Sequence, residues 1–317
     1  MKATLPKILV VAFSSALLIT APSCFAAPSK DDIPATPEDL IFEKDIQYRP
    51  GHERWKLNVI RPKKKRYRRL PVMVLVHGGG WSFGDHYRFT NMGFKFAREG
   101  YVVVLPSYRL YQDAPFPACL EDVKNAVRWI RANADKYHIH PDRIGAYGNS
   151  AGGTLALTAA LTQRENHFEG DGTHLDQSSA LQAVVCFGAV GDMLHPSHGR
   201  RAKTAYLNLA RGKNRKLPEE RARSIMRQAS PSTYVSADVP PLLLVHGPAD
   251  DVVVIDSTDK FVEDMKSAGA PIEYLRFKDG HHGVMGQKGR TTTPAMYSFF
   301  KKHLSGSAKE HGEGKSR

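Results

Sequence analysis

Hydrophobic positions along this chain fall into short continuous runs, separated by segments of mixed polarity. Runs of four to six apolar residues occupy 71–76, 101–105, 183–187 and 242–245. Such runs are typical of strands that are buried on both faces of a parallel sheet. Alternating or shorter apolar patterns predict four more strands, at 40–48, 55–60, 143–147 and 272–277.

Amphipathic segments lie between these strands. One has apolar residues spaced three and four apart, which predicts one face of a helix: Leu120, Val123, Val127, Ile130 and Ala134. Further helices are predicted over 154–161 and 257–268, and a last one carries Phe299 and Phe300. Strands that alternate with helices predict an α/β fold, with a mostly parallel eight-stranded sheet and helices on both faces.

The same pattern sets the domain boundaries. Residues 40–304 form one predicted α/β domain, preceded by a Pro- and Asp-rich linker over 27–39. Residues 193–228 interrupt the alternation and are basic and poor in apolar side chains, which predicts a small cap-like insertion over the sheet edge. The polar tail over 305–317 is predicted to be disordered.

The N-terminus has the pattern of a signal peptide over residues 1–26. Two lysines precede an apolar run at 8–21, and small residues offer a cleavage site after Ala26. The run is too short to span a bilayer, and no later stretch is long and apolar enough. The protein is therefore predicted to be exported, periplasmic or extracellular, with no stable membrane span; an uncleaved anchor is the alternative. Lipid attachment at Cys24 is disfavoured, because Ala21-Pro22-Ser23 matches a lipobox poorly.

Composition is that of a globular protein, with 41 % hydrophobic and 24 % charged residues in a chain of 317. This excludes collagen-like, mucin-like and wholly disordered chains. Cleavage of the signal peptide leaves Cys119 and Cys186. An oxidising compartment permits a bridge between them, but two separate buried thiols are the favoured interpretation.

The net charge of +13 is unusual, and loss of the two leader lysines lowers it only to +11. Seven basic residues lie within 61–69, and ten lie within 200–227. The plain interpretation is that both clusters of basic residues form a solvated surface. The sharper interpretation is that the second cluster attracts an anionic polymer. Nucleic acid is not an expected partner, because no recognisable nucleic-acid module is present.

The segment Gly148-Asn149-Ser150-Ala151-Gly152 carries the strongest local signal for chemistry. It lies between a predicted strand and a predicted helix, the context in which a G-x-S-x-G motif presents a nucleophilic serine. Glycines permit the tight turn, and the Ala151 N–H lies at a helix N-terminus, where it faces developing negative charge. Ser150 is the candidate nucleophile.

A serine nucleophile needs a base, and the base needs a carboxylate. Two adjacent histidines follow the last predicted strand, and His282 is preferred over His281 because it directly precedes a glycine. Asp250 follows the strand at 242–245 and is the candidate acid, with Asp251 as the alternative. The chain order of serine, aspartate and histidine is that of α/β-hydrolases.

A third element is His77-Gly78-Gly79-Gly80-Trp81, which follows the strand at 71–76. Successive glycines allow the backbone to approach a ligand and to direct N–H groups at it. Gly79 and Gly80, with Ala151, are the candidate oxyanion-hole donors. His77 is interpreted as a structural hydrogen-bonding residue, and Trp81 as either a substrate-pocket or a core residue. No spacing of cysteines or histidines suggests a metal, and no cofactor is expected.

These segments resemble the carboxylesterase branch of the α/β-hydrolases over about residues 40–303. Four segments are similar to hormone-sensitive-lipase-like esterases: 76–82, Ser107-Tyr108-Arg109, Pro115-Phe116-Pro117, and Asp142-Arg143-Ile144 leading into 148–153. Three others look closer to the acetyl xylan and feruloyl esterase-like group: Ser230-Pro231, 240–250 and His282-Gly283. Asn149 replaces an acid found in many lipase-like relatives, and Asp251 stands where relatives often have proline.

The resemblance implies an α/β-hydrolase fold and serine-esterase chemistry. The expected function is hydrolysis of short-chain acyl esters, including acetyl esters on carbohydrate, by a Ser-His-Asp acyl-enzyme mechanism without metal or cofactor. A small-molecule or carbohydrate ester is the expected substrate, and the oligomeric state is open. The alternatives are a peptidase or amidase with the same triad, and a non-catalytic binding protein with this fold.

Overall fold

The structure is a computed structural model that describes residues 33–64 and 68–305. The predicted signal peptide at 1–26, with Cys24, lies outside the described residues. The same is true of the start of the linker and of the tail after Ser305.

Eight strands form a single sheet. They are β1 (Leu40–Gln47), β2 (Lys56–Pro62), β3 (Leu70–Val76), β4 (Val102–Pro106), β5 (Ile139–Asn149), β6 (Ala183–Phe187), β7 (Leu242–His246) and β8 (Ile272–Arg276). Their order across the sheet is β1-β2-β4-β3-β5-β6-β7-β8. Strand β2 is antiparallel to both of its neighbours, and all other pairs are parallel. The predicted mostly parallel, eight-stranded sheet is confirmed.

Helices connect these strands. They are α1 (Thr90–Arg98), α2 (Ala118–Ala132), α3 (Ala134–Tyr137), α4 (Ala151–Leu161), α5 (Arg200–Arg211), α6 (Glu219–Gln228), α7 (Ile255–Ser267), α8 (Val284–Gln287) and α9 (Gly289–Leu304). The sequence pattern did not predict α1. Strand β5 also begins four residues earlier than predicted, at Ile139 instead of Arg143. Residues 141–142 lie at an irregularity within this strand, since pairing with β3 shifts register between Ile139 and Ile144.

Alternation along β3 places apolar side chains on both faces of the sheet. Val72, Val74 and Val76 join a core that contains residues of α2, α4 and α7. Met73 and Leu75 join a second core, which contains residues of α1 and α9. Because successive side chains of a strand point to opposite faces, this run of five apolar residues supplies both cores. The predicted cover of helices on both faces is confirmed.

The segment predicted as an insertion contains α5 and α6, which pack against each other. Each helix has a buried face of few residues: Ala202, Tyr206, Leu209 and Ala210 on α5, and Ala222 and Met226 on α6. Most of the basic residues lie on the exposed sides. The insertion therefore joins the core through a narrow apolar strip and presents a cationic surface.

The two cysteines are separate, buried, free thiols, as the sequence interpretation favoured. Cys119 lies on α2 and Cys186 on β6, and burial raises the pKa of both thiols well above the ordinary value. Among the helices of the described chain, none combines the length and apolar character required for a membrane span.

A buried carboxylate joins α2 to the loop after β4. The Asp122 side chain is fully buried and accepts hydrogen bonds from Trp55 Nε1 at 2.9 Å and from the Arg109 backbone N–H at 2.7 Å. The Arg109 guanidinium adds a bond from Nη2 at 2.8 Å. Arg109 Nη2 also lies 3.2 Å from Glu121 Oε2, so removal of Arg109 would leave the Asp122 charge buried without a cation, whereas removal of Asp122 would leave Arg109 with one acid.

Asp122→Ala is therefore expected to lower the free energy of unfolding by about 3 kcal/mol, because Trp55 Nε1 and the Arg109 backbone N–H lose their buried acceptor and the Arg109 cation keeps only Glu121. Urea denaturation followed by circular dichroism measures this change. Asp135→Ala is the matched control, since the Asp135 carboxylate also pairs with an arginine but is 90 % exposed. A similar loss of stability in both variants would contradict the importance of the buried pair.

Candidate active site

The candidate residues meet at the carboxyl edge of the sheet. Strand order reverses between β3 and β5, because the chain passes from β3 to β4 on one side and then crosses to β5 on the other. Open α/β sheets bind ligands in the crevice at such a switch point. The loops after β3, β5, β7 and β8 all leave the sheet at this edge, and they carry the candidate residues.

Ser150 follows β5 in a backbone conformation that side chains rarely adopt, with φ 53° and ψ −128°. Its N–H donates to the Phe187 carbonyl at 2.8 Å, which fixes the turn against β6. The flanking glycines have no space for a side chain. A Cβ on Gly148 would lie 2.3 Å from the Gly152 carbonyl oxygen, and one on Gly152 would lie 2.2 Å from that of Val76. The G-x-S-x-G pattern is thus a packing requirement between β3 and the turn after β5.

The Asp250 carboxylate accepts four hydrogen bonds. Oδ2 faces His282 Nδ1 at 2.8 Å and His246 Nε2 at 2.9 Å. Oδ1 accepts the N–H groups of Val252 at 2.9 Å and Val253 at 2.8 Å. Burial by itself raises the pKa of the Asp250 carboxyl, but the hydrogen bonds from His246 and His282 outweigh it and hold the pKa well below the ordinary value of 3.8. Because the carboxylate accepts from Nδ1, neutral His282 presents Nε2 as a proton acceptor.

The structure separates these two residues from their neighbours in sequence. The exposed His281 places its Nδ1 3.1 Å from the Ala249 carbonyl oxygen, and among the described residues it forms no hydrogen bond or ion pair with Asp250. The Asp251 residue is exposed, whereas the Asp250 side chain is fully buried. The geometry therefore joins Asp250 with His282 and leaves both alternatives at the surface.

Gly188 places the acid–base pair beside the serine. It directly follows Phe187, the acceptor of the Ser150 N–H, and it has φ 54°. A Cβ at this position would lie 3.3 Å from Asp250 Oδ2 and 3.4 Å from His282 Nδ1. Within the described chain Ser150 Oγ makes no hydrogen bond to His282; in unliganded enzymes such bonds often tighten only when substrate binds.

The glycine loop after β3 exposes backbone donors. Gly79 has φ 115° and Gly80 has φ 56°, and the Gly79 carbonyl accepts the N–H groups of Ser82 at 3.0 Å and Phe83 at 3.2 Å. Over the described residues, the N–H groups of Gly79, Gly80 and Ala151 have no protein acceptor. Ala151 is the first residue of α4, so its N–H also lies at the positive end of a helix. Three backbone donors are thus left for a ligand.

His77 has a structural role in this edge, as the sequence suggested. Its ring is buried and stacks on Tyr108 with centroids 4.2 Å apart, and Nδ1 lies 2.8 Å from the Gly78 carbonyl oxygen. Burial lowers the pKa of His77 to about 3, so the ring is neutral. Tyr108 in turn donates to the His77 carbonyl at 2.7 Å, which supports the start of the glycine loop.

Trp81 is buried in the core, where it touches the insertion. Its indole packs edge-on against the Tyr206 ring of α5, with centroids 6.1 Å apart, and Tyr206 contacts the His198 ring at 5.1 Å. In the described part of the chain, no hydrogen-bond partner reaches Trp81 Nε1, Tyr206 Oη or His198 Nδ1. The insertion therefore adds polar aromatic groups next to the glycine loop.

Sequence analysis missed four residues of this region. Gly188 and His246 lie at the ends of apolar strands, and His246 is four residues before Asp250, so a strand-end search would have found them. Tyr206 and His198 belong to the insertion, where only the buried face of α5 could have indicated Tyr206. The described residues contain no group of histidines, cysteines and carboxylates suited to a metal ion.

The fold has solved relatives. A truncated carbohydrate esterase from gut microbiota matches 89 % of this chain and 100 % of its own length, with a TM-score of 0.75 and 26 % identity. The bifunctional GH43-CE protein from Bacteroides eggerthii matches 83 % of this chain and 35 % of its own, with a TM-score of 0.73 and 27 % identity. The predicted α/β-hydrolase fold is confirmed.

Sequence comparison identifies the family. Esterase LipQ from Mycobacterium tuberculosis is 28 % identical over 241 residues, which cover 75 % of this chain and 56 % of that protein. Arylacetamide deacetylase from Bos taurus is 36 % identical over 132 residues, or 40 % of this chain and 32 % of that protein. The chain thus spans little more than half the length of the mycobacterial relative. A family model for BD-FAE matches residues 57–265. The protein is therefore a member of the BD-FAE family of α/β-hydrolases.

Proposed function

We propose that this chain is a serine carboxylesterase that hydrolyses short-chain acyl esters through an acyl-enzyme. The observation that carries the proposal is the buried Asp250 carboxylate, which holds Nδ1 of His282 at 2.8 Å beside the strained Ser150 turn. A positioned base next to a serine on such a turn is the arrangement that activates a hydroxyl nucleophile.

In the first half-reaction, Ser150 Oγ attacks the ester carbonyl carbon while Nε2 of His282 accepts the hydroxyl proton. The Asp250 carboxylate keeps the ring oriented and stabilises the imidazolium. Negative charge develops on the former carbonyl oxygen, where the N–H groups of Gly79, Gly80 and Ala151 are free to donate. Loss of one such donor costs about 3 kcal/mol of transition-state stabilisation in comparable sites.

Collapse of the tetrahedral intermediate breaks the bond between the carbonyl carbon and the alcohol oxygen. His282 transfers its proton to the departing alcohol, and the acyl group stays on Ser150. A water molecule then gives a proton to His282 and attacks the acyl carbon. The second collapse returns the proton to Ser150 Oγ and releases the carboxylic acid, so that the enzyme is restored.

Acetyl esters on carbohydrate are the substrate class that we propose. The solved relatives at 26 % and 27 % identity are a carbohydrate esterase and a bifunctional GH43-CE protein, and they support this class. Short acyl groups also suit the insertion, because its apolar strip is narrow and already packs on the core. A long acyl chain would need a broader apolar wall.

Ser150→Ala is expected to abolish hydrolysis of p-nitrophenyl acetate, with a fall in kcat of about 10⁴-fold or more, because no other side chain takes the place of the nucleophile. A stopped or continuous assay of p-nitrophenol release measures the rate, and thermal unfolding verifies that the variant is folded. Labelling of wild-type Ser150 by an organophosphonate, detected by mass spectrometry, provides the second readout. Full activity in the variant would refute the assignment.

Paired substitutions test the acid and the base. Asp250→Ala and His282→Ala are each expected to lower kcat by about 10³-fold or more, since the base is lost or misoriented. The adjacent variants Asp251→Ala and His281→Ala are the matched controls and should keep kcat within a factor of three or so, because both side chains are exposed. If Asp251→Ala lowers kcat more than Asp250→Ala, the role of the acid belongs to Asp251. If His281→Ala lowers kcat more than His282→Ala, the role of the base belongs to His281.

The depressed pKa of Asp250 predicts how stability depends on pH. A carboxyl with a lowered folded-state pKa contributes stability above its unfolded pKa near 4, and this contribution disappears as the pH falls toward the folded value. Asp250→Asn is therefore expected to be less stable than wild type by about 3 kcal/mol at pH 5, and the difference should shrink toward pH 3. Urea unfolding across this range measures it. A difference that stays constant or widens toward pH 3 would disprove the ionised, hydrogen-bonded carboxylate.

A further inference from the structure

We propose that the ester substrate is carried on an anionic polysaccharide, which the cationic face of the insertion holds at the active site. This inference rests on the proposed esterase function and specifies its substrate. The cationic face is defined by ten residues of α5, α6 and their connection: Arg200, Arg201, Lys203, Arg211, Lys213, Arg215, Lys216, Arg221, Arg223 and Arg227.

The charge of this face is uncompensated. Nine of the ten side chains belong to exposed residues, and none lies within ion-pair distance of an acidic group of the described chain. The segment itself contains only two acids, Glu219 and Glu220. Elsewhere many arginines do pair: Arg61 with Glu43, Arg98 with Asp39, and Arg109 with Asp122.

The cationic face borders the catalytic edge. Tyr206, on the buried side of α5, packs against Trp81, the residue that directly follows the candidate oxyanion donors. The Leu209 carbonyl accepts the Phe116 N–H at 3.0 Å, which anchors the end of α5. Burial and the nearby Asp250 carboxylate both raise the pKa of Tyr206, so the acid of the candidate triad acts on this helix electrostatically.

Arg211 provides an independent observation, because one of its N–H groups lacks a hydrogen-bond acceptor among the described residues. It is the last residue of α5, it is half-buried, and its Nε is buried without a hydrogen-bond partner among the described residues. A buried guanidinium N–H that lacks an acceptor costs free energy, which an anionic ligand oxygen would recover. A Cβ on the following Gly212 would lie 3.1 Å from Pro115, so this end of α5 lies beside the loop between β4 and α2.

The spread of the charges favours a polymer over a small anion. The twelve residues of α5 extend the cations over about 18 Å, and α6 continues the face. Such a field concentrates an extended polyanion and raises its association rate, by 10-fold or more in favourable cases. A polysaccharide with carboxylate groups combines this negative charge with the hydroxyl-linked acyl esters that the proposed chemistry requires.

The other basic cluster provides a matched control. Arg61, Lys63, Lys64 and Lys136 line a cavity of about 310 Å³ together with Leu70, the first residue of β3. This cavity lies at the amino edge of the parallel strands, opposite the candidate active site. Removal of three lysines there changes the net charge as much as removal of three cations from α5, but it leaves the cationic face intact.

The experiment compares kcat/KM on acetylated polygalacturonate, acetylated glucomannan and p-nitrophenyl acetate in 10 mM and 200 mM NaCl. For the wild type, the value on the polyanion is expected to fall about 10-fold at high salt, because the screening length shortens from about 30 Å to below 10 Å. The two neutral substrates should change less than two-fold or so. The change should appear mainly in KM, since association and not the chemical step is affected.

Two triple variants then locate the effect. Arg200→Gln/Arg201→Gln/Lys203→Gln is expected to lower kcat/KM on the polyanion about five-fold in 10 mM NaCl and to flatten its salt dependence. Lys63→Gln/Lys64→Gln/Lys136→Gln should behave as wild type. Equal salt responses on charged and neutral polymers, or equal losses in the two variants, would overturn the inference. Salt-sensitive binding to anionic lipid vesicles, with no preference for the charged polymer, would also overturn it.

The two proposals fail in different ways. Lack of hydrolysis of p-nitrophenyl acetate by the wild type would refute the esterase function itself. Hydrolysis of the small ester and of the neutral polymer, without any advantage for the charged polymer at low salt, would refute only the anionic substrate.

Discussion

A single buried carboxylate organises the catalytic edge of this protein. Asp250 lies where desolvation opposes its charge, yet it is held ionised by two histidine rings and two backbone N–H groups. His246 belongs to β7, and His282 belongs to the loop after β8. The carboxylate therefore connects two strand ends, and it sets which nitrogen of His282 carries the proton. The ability of His282 to act as the base of the proposed reaction therefore depends on the ionised Asp250 carboxylate.

The sheet brings these groups to Ser150 through its topology. Parallel strands end at the same edge, and the reversal of strand order between β3 and β5 places the glycine loop next to the serine turn. The two segments touch backbone to backbone, since Gly152 leaves no room for a Cβ beside the Val76 carbonyl. The separation of Ser150 from the candidate oxyanion donors is thus set by contacts between main-chain atoms.

The sequence was sufficient for most of the fold, because buried parallel strands leave continuous apolar runs. It was insufficient for α1, because Thr90 and Gly93 occupy two of its buried positions and interrupt the apolar stripe that Phe94 and Ala97 continue. Adjacent candidates such as Asp250 and Asp251 have identical side chains, and it is their burial in the folded structure that distinguishes them. The position of Gly188 after an apolar strand can be read from the sequence, but its need for a positive φ arises from contacts with residues far along the chain, which a linear pattern does not record.

The contrast between main-chain contacts at the serine turn and side-chain contacts under the insertion has an evolutionary consequence. A change in the serine turn disturbs β3, β5 and the glycine loop together, so few substitutions there are tolerated. The insertion rests on a narrow strip around Tyr206 and Leu209, and most of its basic residues are exposed. Substitutions can therefore recharge or reshape that surface without disturbing the packing of the serine turn.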